Sequence, residues 1–414
     1  MEILRFFTAG NVDDGKSTLI GRLLYDSKSV STDILETLTK QSKTTGENTD
    51  IDLALLTDGL RAERAQGITI DVAYKYFTTE KRKFIIADTP GHFQYTRNMF
   101  TGASNADLAI ILVDARQGIT EQTHRHSIIS NIVGIPHVLV CINKMDLVNY
   151  DQSVYEQIKA DYQKFAEKLK LNKISFIPTS ALSGDNVVNH SENLAWYEGP
   201  SLFEFLENVE IQQEAKEQAA RFQVQYVIRP QTEELHDYRG YAGSILSGKF
   251  IKGQAVNVLP ADITTTILRI EKDGFEIEEA NQGEPVIIHF SEDIDVSRGT
   301  TIVPVSEPIL SEKSFEAIIC WMDNKSFQPG QKLILQQNSF QTKALIKEID
   351  NKINISTFKT EESDGTLHLN DFCKVAIKTA EPLSFDSYEN NRKTGAFILI
   401  NENTNNTVAA GVIQ

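Results

Sequence analysis

Unbroken apolar runs set the first half of this chain apart from the second. Lys83 to Ala87, Leu108 to Val113 and His137 to Ile142 are continuous rather than alternating, as in strands buried on both faces. Gln122 to Val133 and Val154 to Leu169 read as helices, so residues 1–210 follow the βαβ rhythm of a parallel sheet with helical crossovers. Ile211 to Ala220 then turns polar and reads as a linker with helical character at its start. Beyond it come short strand-like runs punctuated by Gly and Pro: Phe222–Ile228, Gly243–Phe250, Ala255–Leu259 and Pro285–Phe290. Pro304 to Pro308 marks a second break, after which Lys332–Leu335, Lys374–Ile377 and Gly395–Ile400 resume the same texture. The expected architecture is an α/β domain over 1–210, with a mostly parallel sheet and helices on both faces, followed by two small antiparallel β-barrels over 221–304 and 309–414.

Bulk properties narrow the classes. At 414 residues the chain is too long for one core. No run of about 18 apolar residues offers a membrane span, and Met1 to Leu4 lack the basic region and apolar stretch of a secretory signal. Cys141 sits inside an apolar run, and Cys320 and Cys373 lie far from it with no metal-ligand spacing. A reducing, cytoplasmic location is therefore expected. The net charge of −16 argues against a general affinity for nucleic acid or anionic membrane.

Four segments carry the chemistry, in chain order. Gly10-Asn11-Val12-Asp13-Asp14-Gly15-Lys16-Ser17, with Thr18 after it, follows a short strand and opens a helix over Lys16–Leu24. Its glycines let successive backbone N–H groups converge on a phosphate chain, with the helix dipole behind them. Lys16 is expected to bridge β- and γ-phosphates, and the Ser17 hydroxyl to ligate Mg²⁺. Asp88-Thr89-Pro90-Gly91-His92 follows another strand: Asp88 is placed to hold Mg²⁺ through water, the Gly91 amide to sense the γ-phosphate, and His92 to orient the attacking water. Asn143-Lys144-Met145-Asp146 supplies a carboxylate that accepts two hydrogen bonds from guanine N1 and N2, which adenine lacks. Ser180-Ala181-Leu182 offers the Ala181 amide to O6, and the Lys144 stem covers one face of the base. Between the first two segments, Thr69 in Gly67-Ile68-Thr69-Ile70-Asp71 is expected to complete the Mg²⁺ shell in a switch loop that responds to GTP, after the charged run Arg61–Arg64.

On these motifs, residues 1–300 resemble the elongation-factor-like translational GTPases. Throughout its length the chain is similar to the large, GTP-binding subunits of bacterial sulfate adenylyltransferase (ATP sulfurylase). The narrower resemblance rests on Val12 to Asp26, Gln94-Tyr95-Thr96-Arg97-Asn98-Met99, Trp196-Tyr197-Glu198-Gly199-Pro200, Arg239-Gly240-Tyr241-Ala242-Gly243 and Glu292 to Gly299. Asp14 stands where translation factors typically carry His or Ser. The resemblance implies a partner: a smaller ATP-pyrophosphatase-type subunit that makes adenosine 5′-phosphosulfate and pyrophosphate while GTP hydrolysis on this chain drives the step. It also implies an apolar gate of Val12 and Ile68 beside His92. Phe93 departs from the Glu usual in that family, which bears on the timing of hydrolysis. No adenylylsulfate kinase domain is expected. The competing reading is a translation factor that delivers aminoacyl-tRNA; Asp14, the Arg239–Gly243 segment and a second half without an evident basic cluster stand against it.

Overall fold

The computed structural model describes residues 2–30, 53–56, 71–92, 95–104, 106–167, 169, 171, 173–210, 218–230, 238–354 and 359–414. Gly67 to Ile70, with Ile68 of the gate and Thr69 of the metal set, lie outside the described residues, as do Arg61–Arg64, Phe93, Gln94 and most of the linker. The chain divides into two compact units, one chiefly 1–213 and the other 214–354 with 359–414.

The first unit is built on six strands: β1 (Glu2–Ala9), β2 (Ala73–Thr78), β3 (Arg82–Asp88), β4 (Leu108–Asp114), β5 (His137–Asn143) and β6 (Lys173–Pro178). They are ordered β2-β3-β1-β4-β5-β6; β2 runs antiparallel to β3 and the other pairings are parallel. Every residue of β4 and of β5 is buried, which is why both read as unbroken apolar runs. Described helices are α1 (Lys16–Asp26), α2 (Thr96–Ala103), α3 (Glu121–Ile132), α4 (Gln152–Ala166) and α5 (Leu202–Asn208). α3 starts at a capping box in which Thr120 and Thr123 satisfy each other's amides, and Asp151 caps α4. Register places Thr8 beside Asp88 and Asp114 beside Asn143, so the carboxyl ends of the parallel strands form one continuous edge.

The second unit holds two closed six-stranded antiparallel barrels. The first uses β7 (Arg221–Ile228), β8 (Gly240–Ser247), β9 (Lys249–Ile251), β10 (Ala255–Leu259), β11 (Ile263–Lys272), β12 (Phe275–Ile277), β13 (Glu279–Asn281), β14 (Pro285–Phe290) and β15 (Thr301–Pro304). Its ring runs β10-β15-β7-β8-β14-β11 and closes through β10–β11. The stretch Gly243–Phe250, expected as one strand, is broken at Gly248, whose φ of 62° turns the chain between β8 and β9. The second barrel uses β16 (Leu310–Trp321), β17 (Leu333–Gln337), β18 (Phe340–Asn354), β19 (Lys359–Glu362), β20 (Phe372–Phe385), β21 (Ala396–Asn401) and β22 (Thr407–Ile413), with a short helix α6 (Arg392–Gly395). It closes through β17–β18.

Among the described residues the two barrels keep separate apolar clusters, and polar groups tie one barrel to the other. Arg221, 2% exposed, donates to both carboxylate oxygens of Asp386 at 3.0 and 2.9 Å and to the carbonyls of Ala220, Glu307 and Pro308. Gln223 Oε1 accepts from both the amide and the hydroxyl of Ser339 at 2.8 Å, and Asn391 Nδ2 donates to Ser247 Oγ at 2.7 Å.

Candidate functional site

The strand edge of the first unit gathers three of the four motifs named from the sequence and packs the fourth against them. The Gly10–Ser17 loop leaves β1 and enters α1 through Gly15, whose φ of 94° is left-handed. A Cβ there would meet Asn143 Nδ2 at 2.6 Å, so both the backbone angle and the space require glycine. Lys16 is buried, and its ammonium donates to the carbonyls of Gly10 at 2.9 Å and Asn11 at 2.8 Å. Two of its three N–H groups are thereby used, and its stem lies along the loop that would hold phosphate. Val12 and Asp13 ride the loop crest, with Asp13 in the left-handed region at φ 70°. Ser17 and Thr18 sit half-buried in the first turn of α1.

Asp88 ends β3 at 1% exposure and accepts a hydrogen bond from Thr8 Oγ1 at 3.2 Å. Thr89 Oγ1 donates to the Thr8 carbonyl at 2.6 Å, fixing the exit of the strand. Pro90 and Gly91 are buried against the loop. A Cβ on Gly91 would overlap Lys16 Nζ and sit 2.5 Å from the Gly10 carbonyl oxygen. His92 is half-buried, its ring 6.0 Å from that of Tyr95, whose amide donates to the His92 carbonyl at 3.0 Å. The carboxylate of Asp88 and the hydroxyl of Ser17 offer oxygen donors of the kind a hard divalent cation takes.

At the end of β5, Asn143 donates to the Asp14 carbonyl at 2.8 Å and accepts from the Ala181 amide at 2.9 Å and the Thr179 hydroxyl at 3.3 Å. The Ala181 N–H expected at a base O6 is thus engaged by Asn143 here. Lys144, left-handed at φ 63°, donates to the Asp13 carbonyl and reaches Asp114 Oδ2 at 3.0 Å. Met145 is fully buried, its amide donating to the Thr179 carbonyl at 3.2 Å. Ser180 Oγ donates to Asp146 Oδ1 at 2.6 Å, while the Leu182 side chain is exposed.

Two carboxylates shape the field. Asp14 is 3% exposed, and burial lifts its carboxyl to about 6 against the opposing pull of the Asn11 amide, 2.5 Å away, and of Lys16. Burial acts the same way on Asp114, but there hydrogen bonds from the Arg116 side chain and backbone and from Lys144 outweigh it and hold the carboxyl at about 2. Asp114 was not singled out in the sequence. Its signal is position: like Asp88 and Asn143, it is the polar residue that ends an apolar strand.

The elongation factor Tu GTP binding domain family model matches residues 1–227, and that of the GTP-eEF1A C-terminal domain-like family matches residues 314–414. Sulfate adenylyltransferase subunit 1 of Alteromonas mediterranea is 48% identical over 416 residues, spanning 100% of this chain and 87% of the relative. The same-named protein of Colwellia psychrerythraea is 47% identical over 416 residues, spanning 100% and 88%. The bifunctional enzyme CysN/CysC of Mycobacterium tuberculosis is 47% identical over 412 residues, spanning 99% of this chain and 67% of the relative. With that identity sustained from end to end, the chain belongs to the sulfate adenylyltransferase subunit 1 family, within the larger family of the elongation factor Tu GTP-binding domain.

Proposed function

We propose that this chain is the GTPase subunit of a sulfate adenylyltransferase. The carrying observation is the alignment, on one edge of a parallel sheet, of a phosphate loop, Asp88 and Asn143–Asp146, with Ser180–Leu182 hydrogen-bonded to the last. In this reading the loop amides and Lys16 hold the triphosphate, and Asp146 selects guanine through N1 and N2. The stem of Lys144 covers the base. His92 orients the water that attacks the γ-phosphate, giving GDP and phosphate. Ser17 and Asp88, with Thr69 outside the described residues, would hold a magnesium ion, which would supply positive charge against the phosphates.

The adenylyl transfer belongs to a second, smaller subunit of the ATP-pyrophosphatase type. There a sulfate oxygen displaces pyrophosphate from the α-phosphorus of ATP and adenosine 5′-phosphosulfate forms. The relatives' shared name supports the pairing, since a subunit 1 has a partner. GTP hydrolysis on this chain supplies the free energy for that uphill step in the cytoplasm.

The test is reconstitution with the purified partner. GTP turnover should rise when partner, ATP and sulfate are all present, and product should accumulate only with GTP. Product formed by this chain alone, or at the same yield without GTP, would overturn the proposal.

A further inference from the structure

The sequence singled out Val12 to Asp26 and Trp196–Pro200 as family marks, and the nucleotide contacts leave most of both unused. Arg22 of the first stretch reaches the Ser180–Gly184 loop directly, and Trp196 of the second holds the Tyr150 turn that meets that loop through Asp185. Arg22, two turns into α1, donates from Nε to the Ala181 carbonyl at 3.2 Å and from Nη2 to the Leu182 carbonyl at 2.5 Å. Its guanidinium is steadied by Asp26 one turn on, at 3.6 Å. From the other side Tyr150 Oη donates to Asp185 Oδ2 at 2.7 Å, and Ser191 Oγ donates to Asp185 Oδ1 at 2.5 Å. The Asp185 carbonyl in turn accepts from the Ser180 amide at 3.1 Å. Tyr150 and Asn149 are consecutive non-glycine residues in the left-handed region, at φ 54° and 53°. Such backbone persists only where its surroundings hold it. Trp196 does so, donating its indole N–H to the Tyr150 carbonyl at 2.9 Å.

We propose that Arg22 and the Tyr150–Asp185 pair are positioning residues for guanine discrimination. The inference rests on the nucleotide reading above. A purine is told apart by two edges at once: the Asp146 carboxylate meets the N1 and N2 donors, and the Ser180–Leu182 loop lies against position 6, an acceptor in guanine and a donor in adenine. That comparison works only if loop and carboxylate keep a fixed spacing. Arg22 ties the loop to α1, which opens at Lys16, and Tyr150–Asp185 ties it to the turn that carries Asp146. None of the three is placed to touch the base; they act through the loop.

The experiment is competition of GDP and ADP against a fluorescent guanine nucleotide, on the full chain. Tyr150→Phe removes one hydroxyl, and Arg22→Met keeps the stem. Each should weaken GDP roughly tenfold while ADP changes less than twofold, so that the GDP:ADP preference narrows. Tyr150→Phe combined with Asp185→Asn should lose no more than the larger single loss. Equal losses for both nucleotides, or a lowered unfolding midpoint with the preference intact, would reduce these residues to scaffold and overturn the inference. A wild-type chain that does not prefer GDP would instead sink the nucleotide reading itself.

Discussion

The Asn143 side chain donates to the main-chain carbonyl of Asp14 across 2.8 Å, joining residues 129 apart in sequence. Its other end accepts from Ala181 and Thr179, so one amide links the phosphate loop, the Asn143–Asp146 turn and the Ser180–Leu182 loop. Asn143→Ala leaves these buried partners without their hydrogen bonds, at about 1–3 kcal/mol each. GTP affinity should fall roughly 10²-fold in calorimetry, with both barrels still folded by circular dichroism.

Asp146→Asn exchanges an acceptor for a donor at the base. The variant should bind xanthosine triphosphate better relative to GTP, because xanthine presents a carbonyl where guanine has its 2-amino group. Competition binding reads the ratio directly, and an unchanged ratio would mean that the base is selected elsewhere.

Gly91→Ala puts a methyl group into the space held by the Lys16 ammonium and the Gly10 carbonyl. The methyl or the lysine must move. Turnover should drop roughly 10²-fold, and the preference for GTP over GDP should narrow, since the Gly91 amide is the proposed contact to the γ-phosphate. Single-turnover hydrolysis with titration of both nucleotides checks it.

Asp14 makes the nucleotide-free protein sensitive to pH. Its folded value of about 6 lies above the ordinary 3.8 because burial disfavours the charge. The fold therefore favours the protonated form: the stabilisation is complete below 3.8 and is lost as pH rises through about 6. That difference is worth at most roughly 3 kcal/mol. Asp14→Asn should raise the urea midpoint at pH 7.5 and leave it nearly unchanged at pH 4. The same shift at both values would show that ionisation is not the cause.

Asp386→Ala removes the carboxylate partner of a buried guanidinium. Arg221 keeps three carbonyl acceptors but loses its counter-charge, and the second unit should lose about 3 kcal/mol. Calorimetric scans should show a lower transition for the barrels, with nucleotide affinity at the first unit unchanged.

The chain itself, read in order, determined the α/β-then-barrels architecture and the motif positions. Strands such as β4 and β5 are buried on both faces and leave unbroken apolar runs, and glycines and strand-ending polar residues recur at fixed offsets that survive without coordinates. β2 escaped because its burial is partial and its tyrosines face outward: Tyr74 is 45% and Tyr76 67% exposed. The pairings between distant groups arise on folding: Asn143 with Asp14, Arg22 with Ala181, Lys144 with Asp114, and Arg221 with Asp386. Spacing along the chain reports periodicity within an element. Which side chain meets which carbonyl across 129 or 159 residues depends on strand order and register. Those are settled when buried polar groups must find partners inside a closed core.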